Sequence, residues 1–389
     1  MRLGVKNPGA NAKMRIIMSG GGTGGHVNPA IAIANILKER EEGAVISFVG
    51  TSRGIENKLV KAAGYPLDHI EIQGLRRSLS LSNIKTAFLL ISSAFKAKKL
   101  LREQKPDLVV GTGGYACYPI CNAAAKMGIP TVLHESNAIP GVAVRMLQNK
   151  VDRIYVNFEQ TISRLKVPEK AYRVGNPLRG GFSDITHDEA RKALGLEGKY
   201  RFMILSCGGS MGAEPVNDAV LELMRDFSSK HPDVLHVHAT GALEYKAARA
   251  KFEEMGLDKC PNLEFLEYIY DMPQRMAAAD VVINRAGAMT LSELAAQKKP
   301  CILIPSPYVT DNHQYKNAHA LEVKGAAIVI EEKNLALGSS EGCALTREVA
   351  ALLDDRERMR KMGEAIADFA LLDCADLLYD DLLKNVLKK

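Results

Sequence analysis

The sequence has few of the features that mark secreted, metal-binding or membrane-spanning proteins. Its seven cysteines are scattered and form neither a CxxC pair nor a cysteine–histidine spacing typical of zinc ligands. Such a set is typical of a protein from a reducing cytoplasm. No apolar run approaches the roughly 20 residues that a membrane-spanning helix needs. We therefore expect no disulfide framework, no metal site and no transmembrane segment.

Two nucleotide-binding signatures are also absent. The chain has no GxxxxGK[ST] motif, so a P-loop ATPase is unsupported. It has no Asp-X-Asp pair either, which disfavours a glycosyltransferase that holds its nucleotide through a divalent metal. A nucleotide diphosphate would then be neutralised by backbone dipoles and arginine, so we expect no cofactor.

Net charge and chain length further limit the classes of protein to which this chain could belong. The 389 residues carry 51 Lys and Arg against 45 Asp and Glu, and the net charge of +6 is too small to indicate nucleic-acid binding. Hydrophobic residues make up 47% and charged residues 25%, which is typical of a folded protein of two or three domains. Residues 1–13 lack an apolar core and a cleavage site, so we expect a disordered leader and not a signal peptide.

The rest of the chain contains two copies of one pattern. RIIMSGGGTGGHVNPAIAIANIL, from Arg15, and RFMILSCGGSMGAEPVNDAVLELM, from Arg201, each read as a buried strand, a glycine turn and a helix. Further apolar strands follow each copy and alternate with helical stretches. The predicted fold class is therefore α/β, with two Rossmann-like, doubly wound parallel-sheet domains and a cleft between them.

Proline and glycine cluster at 174–184, where the periodicity ends and a domain boundary is expected. We expect an N-terminal domain over 14–176 and a C-terminal domain over 177–365. A C-terminal helix over 366–389 is expected to pack back on the first domain.

Four glycine clusters follow predicted strands: Gly20–Gly25, Gly111–Gly114, Gly208–Gly212 and Gly287. In an open α/β sheet, ligands bind beyond the carboxyl ends of the strands, where helix N-termini offer unpaired N–H groups to anions. The first cluster spells GxGxxG, but the next strand ends in GTS, at 50–52, instead of the Asp or Glu of a dinucleotide site. The clusters therefore favour a phosphate-bearing ligand other than a dinucleotide.

Seven motifs occur in the order and spacing of one family. They are GGTGGH at 21–26, GTGGYACYP at 111–119, HESN at 134–137, GNPLR at 175–179, GGSMGA at 208–213, RAGAMTLSE at 285–293 and DNHQ at 311–314. In these motifs the chain resembles the MurG family of bacterial UDP-N-acetylglucosamine transferases. The resemblance implies an inverting, two-domain GT-B glycosyltransferase of peptidoglycan synthesis. Such an enzyme moves N-acetylglucosamine from UDP-N-acetylglucosamine to the MurNAc hydroxyl of lipid I, which makes lipid II.

The resemblance also implies two groups of substrate-binding residues. The group on the second domain faces the donor nucleotide and consists of Arg179, Ser210, Ile269, Ala288, Met289, Thr290, Leu291, Ser292, Glu293 and Gln314. The group on the first domain reaches the transferred sugar and consists of Thr23, Gly24, Gly25 and Asn137. In the first group, Glu293 matches the ribose-binding carboxylate, Ile269 a uracil contact and Gln314 a contact to the sugar–nucleotide portion.

Some of these positions have simpler alternatives. Glu293 follows Thr290 by three residues, the spacing of a capping box, so it could serve only to cap that helix. Arg179 could form an ordinary surface ion pair. The chain also departs from the family pattern, with Met211 and Ser136 where glutamine is familiar and His313 beside the retained Gln314. The sequence alone does not decide between ligand binding and these simpler roles.

Transfer of the sugar needs a base that takes the proton of the attacking hydroxyl. His26 opens the first-domain helix and is the candidate base, because a helix N-terminus favours a neutral imidazole. A hydrogen bond to the loop or to an acceptor phosphate is the alternative role of His26 and stays open. Glu135 is the second candidate base, whereas His134 is expected to be buried beside a strand end.

A lipid acceptor implies a membrane-facing patch on the first domain. Basic and apolar residues mix after Gly74, and the 75–88 portion is expected to face an anionic membrane surface. The patch consists of Arg76, Arg77, Leu79, Leu81, Ile84, Lys85 and Phe88. Leucines further along, up to 102, are expected to face the core. The implied location is peripheral, at the cytoplasmic face of the cell membrane.

Two other functions remain open at this point. A UDP-sugar epimerase on a similar two-domain scaffold would act on a soluble substrate and would not need the basic, apolar-edged patch. A noncatalytic nucleotide-sugar binder would use the same glycine turns without chemistry. The seven ordered motifs favour the transferase over both.

Overall fold

The computed structural model describes residues 13–72, 82–178, 181–182, 184–209, 211–339 and 342–388, without the side chains of 82–91 and 310. Several sequence expectations lie outside these residues. They are the leader up to residue 12, Arg179, Ser210, and the patch residues Arg76, Arg77, Leu79 and Leu81. For Ile84, Lys85 and Phe88 only the helical backbone is described.

The chain divides into two compact units. Unit 1 comprises Met1–Pro177 and Leu371–Lys389, and unit 2 comprises Leu178–Ala370. Each unit is built on one sheet in which every pair of neighbouring strands is parallel. Parallel strands cannot be joined by tight hairpins, so helices carry the chain from each strand to the next. The predicted α/β class with two Rossmann-like parallel-sheet domains is confirmed.

Strands and helices alternate along unit 1. Its elements are β1 Arg15–Gly20, α1 Gly24–Arg40, β2 Val45–Gly50, α2 Glu56–Ala62, β3 Leu67–His69, α3 Ser82–Gln104, β4 Leu108–Gly113, α4 Cys117–Lys126, β5 Thr131–Glu135, α5 Val142–Leu147, β6 Arg153–Val156, α6 Glu159–Ile162 and β7 Ala171–Arg173. Among the described residues the sheet has seven strands in the order β3-β2-β1-β4-β5-β6-β7.

Unit 2 repeats this plan. Its elements are α7 His187–Ala193, β8 Phe202–Cys207, α8 Glu214–Asp226, β9 Val234–Ala239, α9 Tyr245–Glu254, β10 Leu263–Leu266, α10 Met272–Ala278, β11 Val281–Asn284, α11 Ala288–Ala296, β12 Cys301–Leu303, α12 His313–Glu322, β13 Ile328–Val329, α13 Ala344–Asp354 and α14 Arg356–Ala367. The described strands form a six-stranded sheet in the order β10-β9-β8-β11-β12-β13. Short 3₁₀ helices cover Pro168–Lys170 in unit 1 and Ser228–Lys230, Leu257–Lys259, Thr310–Asn312 and Glu332–Asn334 in unit 2.

Both faces of the sheets are buried, as expected for parallel strands covered by helices. In β1, Ile16 and Met18 belong to the apolar cluster on one face, and Ile17 belongs to the cluster on the other. This alternation is the two-residue period of a strand. In unit 2 the β8 residues Phe202 and Ile204 pack in a cluster that includes side chains of α8, α13 and α14. Burial of these strands holds the loops at their ends in fixed positions.

Each sheet contains one switch point, where the first strand of the unit lies beside the fourth. The pairs are β1 with β4 in unit 1 and β8 with β11 in unit 2. Connections leave the two strands of each pair in opposite directions, which opens a crevice at the carboxyl edge of the sheet. The fold therefore brings the turn after β1 to the turn after β4, and the turn after β8 to the turn after β11.

The end of the chain returns to unit 1. It forms α15, Cys374–Asp381, and a π-helical turn over Leu382–Leu387. Asp381 accepts two hydrogen bonds from the guanidinium of Arg153, at 2.8 and 2.6 Å. Nearby, the Tyr379 hydroxyl donates to the Glu41 carboxylate at 2.8 Å, and Asp376 pairs with Arg40. None of the helices that the structure describes combines the length and apolar character needed to cross a bilayer.

The two ion pairs of α15 differ in burial and therefore in their expected contribution to stability. We expect Asp381→Asn to lower the free energy of unfolding by about 2–4 kcal/mol, because it leaves the largely buried Arg153 charge without its partner. Asp376→Asn breaks an exposed pair on the same helix and is expected to cost at most about 1 kcal/mol. Urea unfolding followed by circular dichroism measures both, and equal losses would contradict this assignment.

Candidate functional site

The turn after β1 is held from two sides. The amide of Gly21 donates to the Gly113 carbonyl at 3.3 Å, and the amide of Gly22 donates to Oε2 of Glu56 at 2.9 Å. Thr23 is then the N-cap of α1, in extended conformation and without a side-chain cap hydrogen bond. These contacts determine where α1 begins.

The amides that follow are the ones available to a ligand. The first N–H groups of a helix have no acceptor within the helix and lie at the positive end of its dipole. Within the described residues we find no protein acceptor for the amides of Thr23, Gly24 and Gly25. Thr23 and Gly25 are exposed. The turn therefore presents three donors suited to a negatively charged group.

His26 lies in the first turn of α1 and is anchored to β4. Its Nδ1 lies 3.1 Å from the carbonyl oxygen of Thr112, and the Thr112 hydroxyl donates to the His26 carbonyl at 2.7 Å. A carbonyl oxygen can only accept, so the hydrogen bond requires a proton on Nδ1. The neutral ring then carries its lone pair on Nε2, which is the form that a general base needs.

The turn after β4 packs directly on this assembly. Gly113 has φ +112°, and a Cβ atom there would lie 2.5 Å from Nδ1 of His26. Gly114 has φ +85°, and its Cβ would lie 2.1 Å from the Gly21 carbonyl oxygen. Only glycine combines this backbone conformation with such close approach. The second glycine cluster therefore shapes the first turn and holds the His26 ring in place.

Asn137 is presented by a loop that the Glu135 carboxylate organises. Oε1 of Glu135 accepts from the backbone and side-chain amides of Asn137, at 2.9 and 3.1 Å, and Oε2 accepts from the Gly141 amide at 2.6 Å. Burial raises the pKa of Glu135, although these donors act against that rise. Both carboxylate oxygens are engaged, so the geometry favours a positioning role for Glu135.

His134 is fully buried in β5. Its Nε2 lies 2.8 Å from the Gly175 carbonyl and must carry the proton. Burial lowers the pKa of His134 to about 4, so the ring is neutral and structural at neutral pH.

The turn after β8 is the counterpart in unit 2. Gly212 has φ +96°, its amide donates to the Gly209 carbonyl at 3.1 Å, and a Cβ there would lie 2.6 Å from the Thr240 carbonyl oxygen. The Leu243 amide donates to the Met211 carbonyl at 3.2 Å. The loops after β8 and β9 therefore support each other.

α11 begins at Ala288 with Gly287 as its N-cap, at the unit 2 switch point. Ala288, Met289 and Thr290 are its first three residues, so their N–H groups are those that a helix leaves without intrahelical acceptors. Thr290 lies inside the helix and is not its N-cap, so the capping-box role considered for Glu293 is wrong. Glu293 is only 7% exposed, so the burial of its carboxylate needs an explanation other than helix capping.

Glu293 lies near the end of β8. Burial raises the pKa of the Cys207 thiol to about 11, and the negative charge of Glu293 adds to the rise. Its two neighbours in the expected group point to packing: Leu291 belongs to the buried core, and the Ser292 hydroxyl donates to the Ala288 carbonyl at 3.2 Å. The ligand roles expected for Leu291 and Ser292 stay predictions, as do those of the helix start and Glu293.

Ile269 and Gln314 follow other strands of the same sheet. Ile269 is buried in the loop after β10, and the exposed rings of its sequence neighbours Tyr268 and Tyr270 contact each other, with centroids 5.0 Å apart. Gln314 lies in the first turn of α12, and its Oε1 accepts from the Ser306 amide at 2.9 Å. This contact orients the carboxamide and leaves its NH₂ group as the donor.

The expected site residues that the structure describes follow strands of the two sheets, at the carboxyl edge of each, and their ligand roles stay predictions. Thr112 and Glu56 lie at this edge in unit 1 and were not found from the sequence. Thr112 lies inside a recognised glycine cluster, whereas the signal for Glu56 is weak: one acid in a helix after a GTSRG turn. The described residues contain no group of three or more His, Cys, Asp or Glu side chains that could hold a metal ion.

Comparison with known proteins gives consistent matches. The model of the glycosyltransferase family 28 N-terminal domain matches residues 16–156, and that of the C-terminal domain of the same family matches 203–378. The chain is 40% identical over 375 residues to the UDP-N-acetylglucosamine--N-acetylmuramyl-(pentapeptide) pyrophosphoryl-undecaprenol N-acetylglucosamine transferase of Acetivibrio thermocellus. This alignment covers 96% of the chain and 99% of the relative.

Two solved structures have the same fold. MurG of Acinetobacter baumannii superposes with a TM-score of 0.75 at 26% identity, covering 96% of this chain and 100% of that one. The UDP-GlcNAc 2-epimerase of Neisseria meningitidis superposes with a TM-score of 0.64 at 15% identity, covering 96% and 100%. The second likeness is one of fold alone.

The contact between His26 and Thr112 predicts a tautomer. At neutral pH we expect neutral His26 to carry its proton on Nδ1, because the Thr112 carbonyl can only accept. ¹⁵N shifts of histidine-labelled protein, assigned with His26→Ala, measure this. His134 is an internal control, since its contact with Gly175 requires the opposite, Nε2-protonated form. An Nε2-protonated His26 would contradict the geometry.

Proposed function

The chain belongs to glycosyltransferase family 28, and from this membership we propose that it transfers N-acetylglucosamine from UDP-N-acetylglucosamine to lipid I, forming lipid II. The observation that carries the proposal is the 40% identity, over nearly the full length of both chains, to a transferase whose name states this reaction. The turn after β1, which leads into α1, and the turn after β11, which leads into α11, are suited to binding the donor and the transferred sugar. Both present helix-start amides to an anionic ligand, as a donor with a diphosphate requires.

Unit 2 is proposed to hold the donor. The amides of Ala288, Met289 and Thr290 face the diphosphate, and the buried carboxylate of Glu293 accepts hydrogen bonds from the ribose hydroxyls. Ile269 lies where the uracil would bind, and Gln314 offers its NH₂ group to the sugar. Arg179 and Ser210 are proposed to complete the diphosphate site. In this arrangement the charge of the leaving UDP is received by main-chain dipoles and a guanidinium.

Unit 1 is proposed to supply the acceptor side of the reaction. Thr23, Gly24 and Gly25 direct their amides, and Asn137 its carboxamide, toward the transferred sugar. His26 is the proposed base: its Nε2 takes the proton of the MurNAc hydroxyl as that oxygen attacks the anomeric carbon and UDP leaves. Glu135 is less suited to this step, because three N–H groups already occupy its two oxygens. A single displacement of this kind inverts the anomeric centre.

We propose that the protein works at the cytoplasmic surface of the membrane, where a lipid acceptor would lie, and exposed residues of α3 support this location. The helix buries Ser93, Ala97 and Leu101, in agreement with the expectation that leucines of this stretch face the core. Phe95, however, is 70% exposed, in a part of the helix that was not expected to face lipid. Lys98, Lys99 and Arg102 are exposed close to it in sequence.

An apolar ring among basic side chains is suited to an anionic lipid surface. We propose that this part of α3 extends the expected patch formed by Arg76, Arg77, Leu79, Leu81, Ile84, Lys85 and Phe88.

Acceptor-dependent release of UDP tests the function. We expect UDP to be released from UDP-N-acetylglucosamine only when a soluble lipid I analogue is present. His26→Ala is expected to lower kcat by about 100-fold or more and leave donor affinity within about twofold. His319→Ala, which removes an exposed histidine of α12, is the control and should keep full activity. Interconversion of the donor sugar without acceptor would favour an epimerase and contradict the proposal.

Donor binding tests the role of Glu293. We expect Glu293→Gln to lower the affinity for UDP by about 10- to 100-fold, because a charged acceptor for the ribose diol is lost. Titration calorimetry measures the affinity. Glu222→Gln is the matched control, since Glu222 of α8 accepts from the Gly338 amide in the same unit. Unchanged UDP affinity together with lower thermal stability would show that Glu293 is only structural.

A further inference from the structure

A buried carboxylate holds the turn that carries the expected ligand-binding amides of unit 1. Glu56 is the first residue of α2, and its side chain has no exposed surface. Oε2 accepts from the Gly22 amide at 2.9 Å, while Oε1 accepts from the Thr51 amide at 2.8 Å and from the Thr51 hydroxyl at 2.7 Å. One side chain thus connects the end of β2 with the turn after β1.

Three glycines make room for this carboxylate. A Cβ atom would lie 2.8 Å from Oε1 if added to Gly21, 2.7 Å from Cγ if added to Gly50, and 1.9 Å from Oε2 if added to Gly54. None of these residues has the positive φ that by itself demands glycine. Their shared property is therefore contact with Glu56. Glycines from the turn after β1 and from the connection between β2 and α2 enclose one side chain.

Glu56 is held in its charged form. Burial by itself raises the pKa of Glu56, but the donors from Gly22 and Thr51 together outweigh burial and leave the pKa below its ordinary value. A buried charge is costly unless it is fully hydrogen-bonded. The main-chain amides of the turn are thus fixed by a charge-assisted contact, which is stronger than one between neutral groups.

The contact divides the amides of the turn into two groups. Gly21 and Gly22 are bound to the protein, through Gly113 and Glu56, and the amides of Thr23, Gly24 and Gly25 follow at the start of α1. A turn of glycines has many accessible backbone conformations, and only some of them direct three successive N–H groups at one ligand. Fixing Gly22 also fixes the start of α1, and with it His26.

We propose that Glu56 is a positioning residue for glycosyl transfer, which sets the Gly20–Gly25 turn so that its free amides and His26 meet the reacting sugar. The inference rests on the proposed function of this chain. Glu56 has no exposed surface and both oxygens are occupied, so it does not touch the substrate. The Glu56 carboxylate does lie beside the end of β2, where a dinucleotide site has its ribose-binding acid. Because it is buried and fully hydrogen-bonded within the protein, it cannot bind a ribose.

Asp381 provides a matched control for Glu56. Both are buried carboxylates of unit 1, and each accepts from a residue far away in sequence, Gly22 for Glu56 and Arg153 for Asp381. Asp381 binds Arg153, the first residue of β6, at the amino edge of the sheet, whereas Glu56 acts at the carboxyl edge. A purely structural role would give the two variants similar effects.

The experiment compares Glu56→Gln with Asp381→Asn in the full chain. Glutamine keeps the size of the side chain, but its NH₂ group replaces one of the two carboxylate oxygens. That group is a donor and cannot accept the hydrogen bond from the Gly22 or Thr51 amide that the oxygen accepted. We expect Glu56→Gln to lower kcat/KM for the lipid I analogue by about 10- to 100-fold per folded molecule, with UDP affinity within about twofold of wild type. Asp381→Asn should lose stability and keep the kcat/KM of its folded fraction. Equal kcat/KM in all three proteins would overturn the proposal.

Two further measurements keep the result interpretable. Thr51→Val removes only the hydroxyl donor to Glu56 and is expected to cause a smaller loss of kcat/KM, so it tests the contact even if Glu56→Gln folds poorly. Hydrogen exchange of the Gly22 amide needs no activity. It should accelerate in Glu56→Gln and not in Asp381→Asn, and an unchanged rate would overturn the proposal. If wild type itself does not transfer, the proposed function fails, while the exchange rate still decides whether Glu56 holds the turn.

Discussion

The first N–H groups of a helix, which have no acceptor within the helix itself, are the feature on which this structure depends. A parallel strand that leads into a helix leaves such groups at the carboxyl edge of its sheet, and two adjacent strands with opposite connections leave them around one crevice. Both units use this arrangement, at β1/β4 and at β8/β11. A diphosphate can then be bound by main-chain dipoles that burial of the strands holds in place. The dipoles are already oriented before the charge of the leaving group develops, which is the condition for effective electrostatic stabilisation.

Buried polar side chains keep these turns in shape. In unit 1, Glu56 binds the turn after β1, Thr112 anchors His26, and Glu135 holds the loop of Asn137. Unit 2 uses neutral histidines in the same way. Ser206 of β8 bonds to both His236 and His238 of β9, and His238 bonds in turn to the Asn217 carboxamide.

Burial lowers the pKa of His238 to about 3, so this network is uncharged. Asn217 donates to the carbonyl of Thr240, which lies against the glycine turn after β8. In both units, polar groups without solvent contact therefore support the turns that face solvent.

Much of this organisation could be read from the sequence, because it follows from local patterns. The order of strand, glycine turn and helix predicted both sheets and their turns, and the ordered motifs predicted the family. The sequence also contained the residues of the candidate site. It did not determine their roles: the spacing of Thr290 and Glu293 fitted a capping box, but α11 begins at Ala288 and leaves Thr290 inside the helix. Glu135 is the second candidate base from the sequence, whereas its hydrogen bonds to Asn137 and Gly141 favour a positioning role. The start of a helix and the partners of a carboxylate depend on residues that pack against them, which spacing alone does not reveal.

The sequence by itself determined the fold class, the glycine turns and the family, since periodicity, turn residues and motif order are properties of short stretches of chain. The tertiary structure alone decided which donors meet which acceptors. Glu56 reaches Gly22 across 34 residues, and His26 reaches Thr112 across 86. The physical reason is that hydrogen bonds join groups close in space, and only the packed sheet brings these distant segments together.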